Sequence, residues 1–247
     1  EKEVKKSPSK DELFESNEGS SENDIGLAGL QNQGATCYLN SAIQLLFHIP
    51  AFRKLVYQMK IDENSNSKSD RIALSLQKLF IEMQVNNHGV CSTSDLTNSF
   101  GYSQIDLVTM HDVQEFIRIL IDSLENAIKG TPIDGEIAKI FKGKSCTVLE
   151  APQINYVALK KEDFYDLPMD IRGSPNLEES FKNFLIPEQL DGNNLYVIDG
   201  YGPQKVKMHT EFIEYPDVFQ IHLKRFDFDT RTQMESKIND RFEFPSS

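Results

Sequence analysis

NQGATCYLNS, Asn32 to Ser41, sets a lone cysteine directly after a Gly-Ala-Thr turn and in front of an apolar helical pattern. Leu39, Ile43, Leu46 and Phe47 recur at helical spacing, so a helix is predicted to start near Cys37, and Pro50 stops the pattern. A helix N-terminus presents unpaired N–H groups and partial positive charge, which favour the thiolate over the thiol. Gly34 supplies a permissive backbone. Asn32, five residues upstream of Cys37, can turn its amide toward the oxygen that becomes negative when a carbonyl is attacked. Free cysteine is also among the most buried and inert residue types. On the stretch alone, Cys37 is a nucleophile, a redox-sensing thiol or a small core residue.

The rest of the chain narrows the classes. It has 247 residues, 39% of them hydrophobic and 16 of them Phe, enough for a substantial core. A net charge of -12 and a pI near 4.9 argue against nucleic acid as a partner, because phosphate binding needs a positive footprint; a basic partner fits better. No apolar run reaches the roughly 18 residues of a membrane span, and the opening EKEVKKSPSK lacks the apolar core of a signal peptide. The expectation is a protein with no membrane partner, cytoplasmic and/or nuclear. Cys37, Cys91 and Cys146 lie too far apart in sequence for a CxxC metal knuckle or a disulfide framework, so neither metal nor cofactor is expected.

Residues 1–24 carry few apolar groups among Lys, Glu, Ser and Asn and read as a flexible tail or linker. Ile72, Leu76, Leu79, Phe80 and Met83 mark a second amphipathic helix. Ser94-Asp95 open a short one through Phe100. The strongest pattern begins at Asp112, with Val113, Phe116, Ile117, Leu120, Ile121, Leu124 and Ile128, and closes at Lys129-Gly130. Asp112 there is an N-cap, with Glu115 completing a capping-box-like pair. After about residue 140 the period becomes 2, as in Tyr165, Leu167, Met169, Ile171 and again Phe219, Ile221, Leu223. One helix, Asn176 to Leu185, interrupts the strands. QLDGNNLY and DGYGPQ read as hairpin connections, and the apolar phase slips between Leu223 and Phe226, a bulge or bend. Helices first and strands later make an α+β fold.

LAGLQNQGATCYLNSAIQLLF resembles the cysteine box of the ubiquitin-specific proteases, Asn-x-Gly-x-Thr-Cys-Tyr-hydrophobic-Asn-Ser. LTNSFGY, MHDVQEFIRILIDSLENAIKGT, EDFYDLPMDI, EQLDGNNLY, LKRFDFD and INDRFEFP follow in that family's order and are most similar to its herpesvirus-associated branch. The resemblance spans roughly residues 25–247. It implies a papain-like cysteine protease core, with a helical thumb over about 25–130 and a β palm and fingers over about 131–247, truncated before the end of the palm. It also implies ubiquitin and ubiquitinated proteins as partners.

Carried onto this chain, the resemblance makes Cys37 the nucleophile and Asn32 the oxyanion donor, with Tyr38 and Asn40 supporting the loop. Asp112 and Glu115 would offer carboxylates to the arginines of ubiquitin's tail, with His111, Gln114 and Tyr38 in the same ubiquitin-binding set. Met110 stands where the family's box has Gln. Cys91 and Cys146 are isolated, where many relatives hold zinc on two CxxC pairs. In the family the general base, a His with an Asp or Asn partner, follows the segment resembling INDRFEFP. His48, His88, His111, His209 and His222 read as structural or surface imidazoles. The base is therefore expected beyond Ser247, and a ubiquitin-binding module without turnover is the alternative.

Overall fold

The computed structural model describes residues 27–86, 89–229 and 233–245; the expected tail over 1–24 and the loop residue His88 fall outside them. In chain order the elements are β1 (Gly29–Leu30), α1 (Cys37–Phe47), α2 (Pro50–Gln58), α3 (Lys68–Val85), β2 (Val90–Cys91), α4 (Ser94–Phe100), α5 (Gln104–Val108), α6 (Val113–Ile128) and α7 (Glu136–Phe141). Then come β3 (Gly143–Ala151), β4 (Tyr156–Phe164), β5 (Asp166–Asp170), α8 (Leu177–Phe184), β6 (Glu188–Leu190), β7 (Tyr196–Ile198), β8 (Gly202–Gln204), β9 (Val206–Glu214), β10 (Gln220–Lys224), β11 (Phe226–Asp229) and β12 (Met234–Lys237). The fold is α+β, as the change of period implies.

The chain divides into two compact units. One runs to His48 and takes up again over Ile61–His111; the other comprises Ile49–Lys60 and everything from Asp112 onward. In the first, α1 buries Leu39, Ile43, Leu46 and Phe47, and α3 buries Ile72, Leu76, Leu79, Phe80 and Met83. Phe47 meets Phe80 edge to face, centroids 5.3 Å apart and planes at 83°, a geometry that aligns one ring's positive edge with the other's negative face. β1 pairs in parallel with β2, Leu30 opposite Cys91. Cys91 is fully buried there.

In the second unit α6 places Phe116, Leu120, Ile121, Leu124 and Ile128 inward, and α7 packs against both α6 and α2. Phe52 of α2 meets Phe141 of α7 at 5.4 Å and 71°. A four-stranded antiparallel sheet has the order β4-β3-β9-β6, and Cys146 is buried on β3. β5 and β10 form a separate parallel pair, Gln220 opposite Asp166 and Lys224 opposite Asp170.

Three helices were not legible in the pattern: α2, α5 and α7. Pro50 does end the pattern of α1, yet it also opens α2 at the first helical position, where its missing N–H costs nothing. α5 is a single turn secured by a capping box, in which Asp106 N–H donates to Ser103 Oγ at 3.3 Å and Ser103 N–H to Asp106 Oδ2 at 2.7 Å. DGYGPQ supplies the β7–β8 hairpin turn and strand β8 itself, but QLDGNNLY joins β6 to β7, which lie in different sheets. The phase slip is a bend: Arg225 N–H donates to Leu223 C=O at 2.8 Å between β10, which pairs with β5, and β11, which pairs with β12.

Burial pushes the Tyr57 hydroxyl up to about 12, against a smaller lowering by Arg53. A phenol that ionises near 10 when unfolded and higher when folded gives stability that is complete below about pH 10 and lost as the pH rises through about 12. Urea midpoints are expected to fall across that window, and less steeply in Tyr57→Phe; identical profiles would show that this phenol is not responsible.

Candidate active site

Residues 32–36 form the loop that delivers the chain into α1. Asn32 Oδ1 accepts three hydrogen bonds, from Gly34 N–H at 3.0 Å, Thr36 N–H at 3.3 Å and the Thr36 hydroxyl at 3.1 Å. Gly34 has φ +132, and a Cβ there would meet Leu107 C=O at 2.9 Å, so backbone and space both require glycine. Ala35 N–H donates to that same carbonyl at 2.7 Å, binding the loop to α5. The Gln33 amide donates to Thr93 Oγ1 at 2.7 Å, which holds the loop to the start of α4.

Cys37 is the first residue of α1 and is exposed. Its thiol has no hydrogen-bond partner among the described residues. Asn40 Nδ2 donates to Leu30 C=O at 3.3 Å and Gln31 C=O at 3.2 Å, so the helix start is tied to β1. Tyr38 is buried; its hydroxyl donates to Tyr102 at 3.2 Å, and burial first, then that bond, holds it protonated well above the ordinary range. His111 stacks on Tyr102, centroids 5.6 Å apart and planes at 19°, and tilts against Tyr38 at 5.8 Å. One of its ring nitrogens, Nε2, lies 3.2 Å from Asp106 C=O. The Asp106 carboxyl sits below its usual range, held chiefly by the Ser103 hydroxyl.

The remaining predicted residues lie in the second unit. Asp112 is the N-cap of α6, and its Oδ1 accepts from Gln114 N–H at 2.7 Å, one position earlier than a capping box with Glu115 would place it. The Gln114 amide donates to Asp166 Oδ2 of β5. Between α6, β5 and β10 is a cleft of about 800 Å³ lined by Asp112, Gln114, Glu115, Arg118, Asp122, Glu125, Tyr165, Asp166 and His222, among others. Five carboxylates against one guanidinium give the cleft a predominantly acidic lining. Tyr165 donates to Glu125 Oε1 at 2.8 Å; burial and that bond keep the phenol protonated above its ordinary range.

Of the other described histidines, His48 is the C-cap residue of α1, His209 Nε2 faces Glu211 Oε1 at 3.3 Å, and His222 lines the cleft from β10. Arg225 donates to Ile238 C=O at 3.2 Å, and Phe226 is exposed. Met110 is exposed as well. Among the described residues no group of His, Cys, Asp and Glu is placed to hold a metal ion, and no helix is long and apolar enough to cross a membrane.

Sequence reasoning missed Thr36, Gln33, Thr93, Thr97 and Tyr102 as supports. Gln33 and Thr36 lie inside the quoted stretch, and Thr97 and Tyr102 inside LTNSFGY, so their proximity was available but not their bonds.

The family model described as "Ubiquitin carboxyl-terminal hydrolase" matches residues 28–247. The chain is 43% identical over 225 residues to ubiquitin C-terminal hydrolase 13 of Arabidopsis thaliana, covering 91% of this chain and 20% of that protein. It is 40% identical over 222 residues to ubiquitin carboxyl-terminal hydrolase 15 of Saccharomyces cerevisiae, covering 90% and 18%. With ubiquitin carboxyl-terminal hydrolase 7 of Drosophila melanogaster it shares 40% over 219 residues, covering 89% and 19%. The chain thus spans about a fifth of the length of the curated relatives it matches. It belongs to the ubiquitin carboxyl-terminal hydrolase family, as a ubiquitin-specific protease domain with a papain-like α+β core.

Proposed function

We propose that the chain carries the nucleophilic half of a deubiquitinating cysteine protease, acting on the bond after ubiquitin's C-terminal glycine, and that it sits in the herpesvirus-associated branch. What supports this most is the pairing of an exposed thiol at the first residue of α1 with an Asn32 whose amide oxygen is already saturated by the loop. The thiolate of Cys37 adds to the carbonyl carbon as the C=O pair moves onto oxygen, and the Asn32 NH2 donates to that oxyanion. Collapse expels the substrate lysine's amine, which takes a proton from the base; water then hydrolyses the thioester. The base is an imidazole outside the described residues, following INDRFEFP as the family resemblance implies.

Asp112 and Glu115 meet the arginines of ubiquitin's tail, with Gln114, held on Asp166, shaping the same cleft wall. Tyr38 and His111 belong to the ubiquitin-binding set through the loop they brace. Ubiquitinated proteins of the nucleus or cytoplasm are the substrates. Family membership does not favour the alternative of a binding module without turnover.

The test is to incubate the full-length protein with a ubiquitin C-terminal coumarin amide and with ubiquitin propargylamide. Coumarin release, and a ubiquitin adduct mapped to the peptide bearing Cys37, are expected. No release and no adduct would overturn the reading.

A further inference from the structure

Thr36 is fully buried, 0% exposed, and immediately precedes the exposed Cys37. Its hydroxyl has two assignments that fix each other. Gln33 N–H donates to Oγ1 at 3.0 Å, so Oγ1 accepts there and its single proton is available to Asn32 Oδ1, 3.1 Å away. The Gly34 and Thr36 backbone amides also point at that atom, at 3.0 and 3.3 Å. Backbone N–H groups only donate, so the atom facing them is the amide oxygen and not the nitrogen. Three donors saturate it, and the NH2 is left for a ligand.

We propose that Thr36 is a positioning residue: its hydroxyl holds the Asn32 side-chain amide in the one orientation in which the NH2 can donate to a developing oxyanion. The proposal rests on the reading of Asn32 as oxyanion donor. Gln33 is the second brace, because its backbone N–H orients the Thr36 hydroxyl while its side-chain amide holds Thr93 Oγ1 at 2.7 Å and Thr97 Oγ1 at 3.3 Å. Remove the hydroxyl, and Asn32 keeps two donors while Gln33 N–H loses its acceptor. Held by the two backbone donors alone, the amide is less firmly fixed, and its NH2 spends less time in reach of the oxyanion.

Two probes separate this role from general damage to the loop. Ubiquitin aldehyde reacts with the thiol at its carbonyl carbon, giving a hemithioacetal whose oxygen occupies the oxyanion position. Ubiquitin propargylamide gives a vinyl thioether, formed as the thiolate adds to the alkyne and the alkyne takes up a proton, with no such oxygen. In the full-length protein, Thr36→Val is expected to lower kcat on the coumarin amide by about 10- to 30-fold, a part of the 10²–10³-fold that losing a donor outright costs, with KM unchanged. Affinity for the aldehyde falls similarly, while the rate with propargylamide holds.

Thr36→Ser restores the loss, and Thr36→Val adds nothing to Asn32→Ala. Thr36→Ala is the second hydroxyl-free variant should Val not fold. Equal loss with both probes, no loss with either, or a full effect in the Asn32→Ala background overturns the proposal. A wild-type protein that reacts with neither probe instead sinks the protease reading, and this proposal with it.

Discussion

Cys37→Ala is expected to reduce cleavage of a ubiquitin C-terminal amide by the full-length protein to the reagent blank, a loss on the order of 10⁴- to 10⁶-fold in kcat. A nucleophile that forms the covalent intermediate has no substitute within its own site. Stability should move by less than about 0.5 kcal/mol, because Cys37 is exposed and its side chain has no partner among the described residues. The hydrogen bonds of Asn32 and Thr36 do not pass through the sulfur. Ubiquitin affinity, read by calorimetry, should be retained. Turnover that persists above the blank would assign the chemistry to another group.

Phe116→Ala should have the largest effect on stability, about 3–5 kcal/mol. Phe116 is 1% exposed on the inner face of α6, beside Leu120 and Leu124 in the same buried stripe. Deleting its ring removes apolar surface and leaves a cavity that rigid neighbours only partly fill. Against a typical total of about 5–15 kcal/mol, that brings the protein near its folding threshold. Ile119→Ala, 42% exposed at the edge of that stripe, is the control and should change stability by less than about 1 kcal/mol. Urea midpoints with unchanged slopes measure both; equal effects would show that the stripe does not carry the stability of α6.

α1, α3 and α6 were legible because each buries one apolar stripe, and α8 because Leu177 and Phe181 share a half-buried face; a 3.6-residue period is a local property of sequence. α6 also declares its own start, since the Asp112 carboxylate accepts from the Gln114 backbone N–H. α2 was hidden by Pro50, which marks a helix start as readily as a stop. α5 and α7 are too short for a period to show. At the site, Cys37 and Asn32 were legible because turn, thiol and apolar helix are adjacent in sequence. Thr36 was not singled out, because nothing in a side chain's identity says which neighbour will take its single proton.

By itself the sequence determined the α+β class, the helix that begins at Cys37, the buried faces of the long helices and the acidity that suits a basic partner. All of these depend on residues within a turn or two of each other, or on composition. Only the tertiary structure decided that β5 pairs in parallel with β10 rather than with a sequence neighbour, that α6 and those strands enclose an acidic cleft, and that Tyr102 and His111 stack beside Tyr38. A strand's ladder groups are identical along every strand, and a ring's stacking partner is set by where the chain returns, so neither is written in any local pattern.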